Sequence, residues 1–255
     1  MVKLEVKGLN FKYNGRCILE NINLEVGEGE VLTILGPNGS GKTTLLRCIA
    51  GIINPEEGQI FINGNKIKKL KKEELARKIS YVPQNEDGSF PATVFDTVLM
   101  GRKPYLTWNP SNKDLEVVSA TLGFLGLKEF ALRDFNELSG GEKQKVLIAR
   151  AIVQQAQIML LDEPTSNLDL RHQLEVLEII RRLADERGIS VIMATHDLNL
   201  APRYSDELVM LKNGKVFCLG KPKQVITPEN IKAVYQVEAT IDNHSQIPHI
   251  VSISL

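Results

Sequence analysis

An α/β fold with a mostly parallel sheet is what this sequence predicts, and three observations predict it. Three short runs, Val31 to Leu35, Ile158 to Leu161 and Val191 to Ala194, are almost continuously apolar. A strand covered on both faces of a parallel sheet reads this way. Helical spacing lies between the runs. The first 26 residues alternate instead, as antiparallel strands with one wet face do.

Leu4, Val6 and Leu9 alternate with Lys3, Glu5 and Lys7, a period-2 strand. A turn at Asn14-Gly15 leads to a second one carrying Ile22, Leu24 and Val26. The buried strand Val31 to Leu35 feeds a helix over Thr44 to Ala50. From about residue 87 to 138 the apolar positions (Val94, Val98, Leu99, Leu115, Val118, Leu122, Leu125) keep helical spacing without a strong strand. This stretch is expected to be a helical subdomain inserted into the core. A helix over Lys143 to Gln154 precedes the second apolar run, and one over Leu174 to Ala184 separates the second from the third. Beyond His196, short strands flank a turn at Asn213-Gly214, and Pro228 to Tyr235 reads as a short helix. One domain is expected over 1–236, followed by a tail, 237–255, with weak strand character and no motif.

The composition excludes several classes. With 43% hydrophobic residues the chain can bury a core and is not disordered. Thirty-one basic against 31 acidic residues give no net charge, which argues against a nucleic-acid partner. Cys17, Cys48 and Cys218 are too few and scattered for a disulfide framework or a zinc site. No run approaches the length that spans a bilayer, and the N-terminus lacks a signal peptide's apolar region. A cytosolic chain is expected, held at a membrane only through something else. Lys66, Lys68, Lys69, Lys71, Lys72, Arg77 and Lys78 form a basic run broken by Glu73 and Glu74. Contact with anionic lipid heads is weighed here against a solvated helix face with (i, i+4) ion pairs, and the ion-paired face is expected.

Gly36-Pro37-Asn38-Gly39-Ser40-Gly41-Lys42-Thr43 fits the phosphate-binding pattern G-x-x-x-x-G-K-S/T. A buried strand enters it and a helix, opening near Thr44, leaves it. Backbone N–H groups then curl around phosphate oxygens, and the helix N-terminus adds positive charge. Lys42 reaches the β- and γ-phosphates and the Thr43 hydroxyl ligates Mg²⁺. Asp162-Glu163 ends the second apolar run, where ligands bind beyond parallel strands. Asp162 is placed to hold Mg²⁺, and Glu163 could polarise an attacking water. His196 follows the third run at the same sheet edge; it could hydrogen-bond the γ-phosphate or hold the water. The fold class is thus sharpened to a P-loop NTPase core with an antiparallel β subdomain and an inserted helical subdomain. Leu138-Ser139-Gly140-Gly141-Glu142 opens an amphipathic helix. Ser139 and Glu142 fit a capping box, and the two glycines leave free N–H groups for a second anion site.

The ordered set of the phosphate loop, Gln84 after Tyr81-Val82-Pro83, Leu138 to Glu142, Asp162-Glu163, Ser166-Asn167-Leu168-Asp169 and His196-Asp197 resembles the nucleotide-binding subunit of ATP-binding-cassette (ABC) transporters. The resemblance covers about Lys3 to Tyr235. It implies that Tyr13 stacks on adenine, that Gln84 senses Mg²⁺ and relays to a membrane partner, and that Glu163 is the general base. It also implies that Asp162 holds Mg²⁺ through water and that His196 steadies the γ-phosphate. Ser139, Gly140 and Gly141 act on ATP held by a second subunit, with Asp169 at that interface. The chain departs from the family pattern at Glu142, where Gln is commoner, and at Asn167, where Ala is commoner. Neither departure removes a catalytic group. Thr97 to Tyr105 (Thr-Val-Leu-Met-Gly-Arg-Lys-Pro-Tyr) resembles the ATPase subunits of importers for iron chelates and cobalamin. The expectation is a Mg²⁺-dependent ATPase at the cytoplasmic membrane face, a head-to-tail homodimer on two transmembrane permease subunits fed by an extracytoplasmic binding protein. Its rivals are a soluble ABC ATPase acting on DNA or ribosomes and a non-hydrolysing nucleotide switch. Single phosphate loop and signature, balanced charge and the presence of Glu163 and His196 speak against both.

Overall fold

The computed structural model describes residues 2–84, 92–106, 108–242 and 247–254. The two alternating segments form β1 (Val2–Tyr13) and β2 (Arg16–Gly27), joined through the Asn14-Gly15 turn. With β4 (Glu57–Ile62) and β5 (Asn65–Lys66) they make an antiparallel sheet in the order β2-β1-β4-β5. The sequence pattern had not singled out β4 and β5.

β3 (Val31–Leu35), β6 (Ile79–Val82), β7 (Ile158–Asp162), β8 (Ser190–Ala194), β9 (Glu207–Lys212) and β10 (Lys215–Gly220) form the second sheet, in the order β10-β9-β3-β8-β7-β6. All its neighbours pair in parallel except β10, which is antiparallel at the edge. The apolar runs divide cleanly between the two faces. Ile158, Leu160, Ile192 and Ala194 enter the core shared with the antiparallel sheet and with α1 (Lys42–Ile49). Met159, Leu161, Val191 and Met193 enter the opposite core, beneath the larger helices. Burial on both faces is the cause of the unbroken hydrophobic runs.

Those helices are α3 (Val94–Leu99), α4 (Asn112–Phe124), α5 (Gly140–Val153) and α6 (Leu170–Arg187); a short α2 (Lys72–Ala76) precedes β6. The first residues of the expected insertion, 87–91, lie outside the described residues. From 92 onward the stretch is helical, and its two ends meet: Val94 N–H donates to Arg133 and Phe135 N–H to Ala92. Between α3 and α4, Arg102 is buried. Its Nε donates to Asp114 at 2.8 Å and its Nη1 to the Val153 carbonyl at 2.7 Å, fastening the insertion to the end of α5. The Thr97 to Tyr105 segment is thus packing surface, with Val98 fully buried.

The tail has more structure than its sequence announces. After α7 (Ala201–Tyr204), α8 (Pro222–Val225) and α9 (Pro228–Tyr235) come β11 (Glu238–Asp242) and β12 (His249–Ser254), an antiparallel pair. Asn199 holds β12 by donating to and accepting from the Ile250 backbone. The basic run differs from expectation as well. Among the described residues, none of its lysines makes an ion pair with Glu73 or Glu74: Glu74 accepts the Lys71 N–H, and Arg77 donates to the Pro104 carbonyl. The five-residue helix is too short to stack charges over several turns.

Candidate functional site

The phosphate loop joins β3 to α1 and borders a cavity of about 350 Å³. Asn38, Gly39, Ser40, Gly41, Lys42, Thr43, Thr44, Gln84 and Glu163 line it, together with Arg16 and Ile18 from the antiparallel sheet. Gly41 has φ 105°, in the left-handed region, and a Cβ there would stand 2.7 Å from Leu19 Cδ2. Glycine alone lets the loop turn into the helix at this spot.

Parallel strand order delivers the charged groups to one edge. β7 ends at Asp162 with Glu163 next in the chain; its neighbour β8 runs toward His196, and β3, on the far side of β8, runs into the loop. Thr43 Oγ1 donates to Asp162 Oδ1 at 3.0 Å, and Tyr81 OH donates to Asp162 Oδ2 at 3.2 Å. Lys42 Nζ donates to the carbonyls of Gly36 (2.8 Å) and Pro37 (3.3 Å) and stands 3.9 Å from Glu163 Oε1. The other Glu163 oxygen meets His196 Nδ1 at 2.6 Å. Glu163 itself has φ 53°, so its backbone turns sharply as it leaves the strand. Both Lys42 and Glu163 are buried. Burial lowers the Lys42 pKa, opposed by the negative charges of Glu163 and Asp162. The glycine-rich loop and the helix start it feeds, with buried Lys42 at their foot, are built to meet a phosphate.

The oxygens of Thr43 and Asp162 are the hard donors a small divalent cation takes. Among the described residues no cluster of three acidic, His or Cys side chains could hold a metal alone. That fits an ion completed by substrate phosphates rather than caged by protein. The buried Ser40 Oγ has no hydrogen-bond partner, a second mark of a site shaped for a ligand.

The remaining predicted residues lie outside this cavity. Ser139 caps α5: its backbone N–H and its hydroxyl both donate to Glu142 Oε2, each at 2.8 Å. These bonds hold the Glu142 carboxyl below its ordinary pKa. Gly140 is exposed, and Gly141 packs so closely that a Cβ would lie 2.3 Å from the His172 ring. His172 Nδ1 in turn bonds Asp169, the N-cap of α6, at 2.8 Å. Ser139, Gly140, Gly141 and Asp169 therefore form a second group. Tyr13 is exposed at the end of β1, paired across the hairpin with Arg16, which does line the cavity. Tyr81 and His172 were missed as site residues. Tyr81 stood in the sequence only as the flank of Gln84, and nothing local marks His172.

A model of the ABC transporter family matches residues 19–166. An uncharacterized ABC transporter ATP-binding protein of Methanocaldococcus jannaschii is 53% identical over 250 residues, covering 98% of each chain. The cobalamin import ATP-binding protein of Halobacterium salinarum is 41% identical over 238 residues, 93% of this chain and 60% of that protein. This chain thus spans less than two thirds of that second relative. Among solved structures, a metal-chelate type ABC transporter in an inward-facing conformation superposes with a TM-score of 0.86 at 32% identity, covering 98% of this chain and 97% of the other.

Proposed function

The chain belongs to the ABC transporter family, and from that premise we propose that it energises an importer that takes up a metal chelate, an iron–siderophore complex, haem or cobalamin. It is an ATP-binding subunit and an ATPase. The observation that carries the catalytic reading is the convergence of Lys42, Thr43, Asp162, Glu163 and His196 at one sheet edge.

ATP lies along the loop, its phosphates on the N–H groups from Gly36 to Thr44 and its adenine toward Tyr13. Lys42 turns from the Gly36 and Pro37 carbonyls to the β- and γ-phosphates. Thr43 and Asp162, with Gln84 from the cavity lining, would hold Mg²⁺, and the bound ion would supply charge neutralisation. Water attacks the γ-phosphorus in line as the bond to the β–γ bridging oxygen breaks and ADP leaves, and Glu163 accepts the proton of the water. His196 releases one Glu163 oxygen for that task and bonds the γ-phosphate. The start of α5 at Ser139 to Gly141 serves ATP on a second copy of this chain, a reading supported by the exposure of Ser139 and Gly140 and by their absence from their own chain's cavity.

A groove lined by Ala76, Tyr81, Met100, Pro104, Arg150 and Gln154 is the proposed seat of a transmembrane permease subunit at the cytoplasmic membrane face. Met100 is exposed there, which suits an apolar partner surface. No helix among the described residues is long and apolar enough to cross a membrane. Two permease subunits and an extracytoplasmic binding protein complete the assembly.

Glu163→Gln tests the mechanism. Steady ATP turnover is expected to fall by about 10²- to 10⁴-fold, while ATP binding, read by a fluorescent analogue, is retained. Unchanged turnover would refute the assignment of the base. The cargo is tested by purifying the chain with its membrane and binding-protein partners and asking which chelate raises turnover.

A further inference from the structure

α2 borders two cavities. Its Ala76 lines the groove described above, whereas Lys72 and Leu75 line a second cavity of about 370 Å³, within the roughly 300–1,000 Å³ of small-molecule pockets. Aliphatic side chains floor it: Ile60 is buried, and Ile67 and Leu75 pack against the same core. Lys66, Lys68 and Lys72 supply its charge.

Among the described residues no ion pair holds Lys66, Lys68 or Lys72, and Glu73 and Glu74 share α2 with Lys72 without pairing to it. Glu56 pairs with Lys12 at 3.5 Å, Glu57 accepts from Asn10 at 3.3 Å, and Glu74 accepts the Lys71 N–H at 3.0 Å. Lys66 is stacked over the Phe61 ring, 5.7 Å from its centroid. Lys72 opens α2, at the end where the helix dipole disfavours a cation. Positive charge is therefore gathered around an apolar hollow without an ion pair among the described residues.

We propose that this cavity binds an amphipathic anion, its apolar body lying on Ile60, Ile67 and Leu75 and its phosphate or carboxylate head among Lys66, Lys68 and Lys72. Two sources offer that chemistry: an anionic lipid of the bilayer and a free acyl or aryl phosphate. The lipid source rests on the importer reading, which brings the adjoining groove to the membrane. The binding chemistry does not depend on it.

Octyl phosphate titrated calorimetrically into the purified chain is expected to bind saturably, at least about tenfold more tightly than inorganic phosphate. The triple variant K66Q/K68Q/K72Q weakens that binding by at least about tenfold. Ile67→Trp, which fills the hollow and keeps the charges, abolishes it. Basal ATP turnover is expected to survive in both and certifies that they fold. Equal affinity for the two probes, or unchanged octyl phosphate binding in the triple variant, overturns the proposal. Flotation with phosphatidylglycerol vesicles, absent with phosphatidylcholine and lost in the triple variant, assigns the lipid source. Calorimetric binding without flotation assigns the free anion. Failure of the importer reading would appear in the turnover and partner experiments and leave the calorimetric result standing.

Discussion

Tyr81 touches two sites at once. Its ring lines the groove proposed for the membrane subunit, and its hydroxyl donates to the Asp162 oxygen that Thr43 leaves free. Burial pushes the Tyr81 pKa up, so the phenol keeps its proton for Asp162 at neutral pH. Groups that orient a metal-holding carboxylate set the affinity for the ion. Tyr81→Phe is therefore expected to raise the Mg²⁺ concentration for half-maximal ATP turnover by about tenfold, with turnover at saturating Mg²⁺ nearly unchanged. A Mg²⁺ titration at fixed ATP checks this, and an unshifted curve would leave Tyr81 a packing residue. The site was legible where chemistry follows a strand in the sequence: Lys42, Thr43, Asp162, Glu163 and His196 each sit just past an apolar run. Tyr81 was not. Its partner is fixed by the parallel register that sets Tyr81 beside Leu160, two residues before Asp162, and no local pattern encodes a register between strands so distant in sequence.

At the scale of elements, the inserted helices depend on a buried ion pair. Arg102 and Asp114 are both buried, 2.8 Å apart, and Ser111 caps α4 through the same Asp114 carboxylate. The Ser111 hydroxyl, the Arg102 guanidinium and the Ser111 N–H hold the Asp114 pKa at about 2, below the ordinary 3.8. A depressed carboxylate contributes stability that is present above pH 3.8 and lost as pH falls through about 2. Asp114→Asn removes the charge from this pair while Arg102 keeps the Val153 carbonyl and Gln155, and is expected to cost about 1.5–3 kcal/mol at pH 7. That difference from the parent chain should shrink between pH 4 and 2, as urea unfolding midpoints at pH 7, 4 and 3 would record. A pH-independent difference would mean that packing, not charge, is what the substitution removes. Element identity followed burial: β3, β7 and β8 were plain because both their faces are covered. β4, β5 and α2 escaped because each is short and partly exposed, so neither period repeats often enough to register. Helix starts were set by caps rather than by apolar spacing. The capping box read at Ser139 and Glu142 begins α5 at Gly140, ahead of its apolar spacing from Lys143, whereas the Asp169 cap, which begins α6 at Leu170, was not read and the helix was expected only from Leu174.

For the whole molecule, the separation of the two groups is what the proposed pairing of two copies rests on. The loop cavity holds the Lys42 side of the site, while Ser139 to Gly141 stand apart with Asp169 and His172. The proposed reading pairs two copies head to tail, so that the α5 start of each meets the loop of the other. That geometry makes a prediction a single-chain enzyme cannot meet. Lys42→Ala destroys the loop half and leaves the signature half; Ser139→Arg does the reverse, placing a bulky side chain at the start of α5. Each variant alone is expected to be nearly inactive. In a mixed dimer, one site combines both defects and the other combines the intact loop of one chain with the intact signature of its partner. Mixing equal amounts should therefore restore ATP turnover, and random pairing puts half the dimers in the mixed form, with one working site each. Turnover near a quarter of the parent value would match dimers whose two sites fire independently. Turnover that stays at the level of the separate variants, while crosslinking shows mixed dimers present, would mean either that both sites must fire together or that the halves are not exchanged. Mixing the parent chain with the Ser139→Arg variant separates these. If both composite sites must fire together, excess variant draws parent chains into dead dimers and turnover falls; if each chain were complete, excess variant would leave parent turnover untouched.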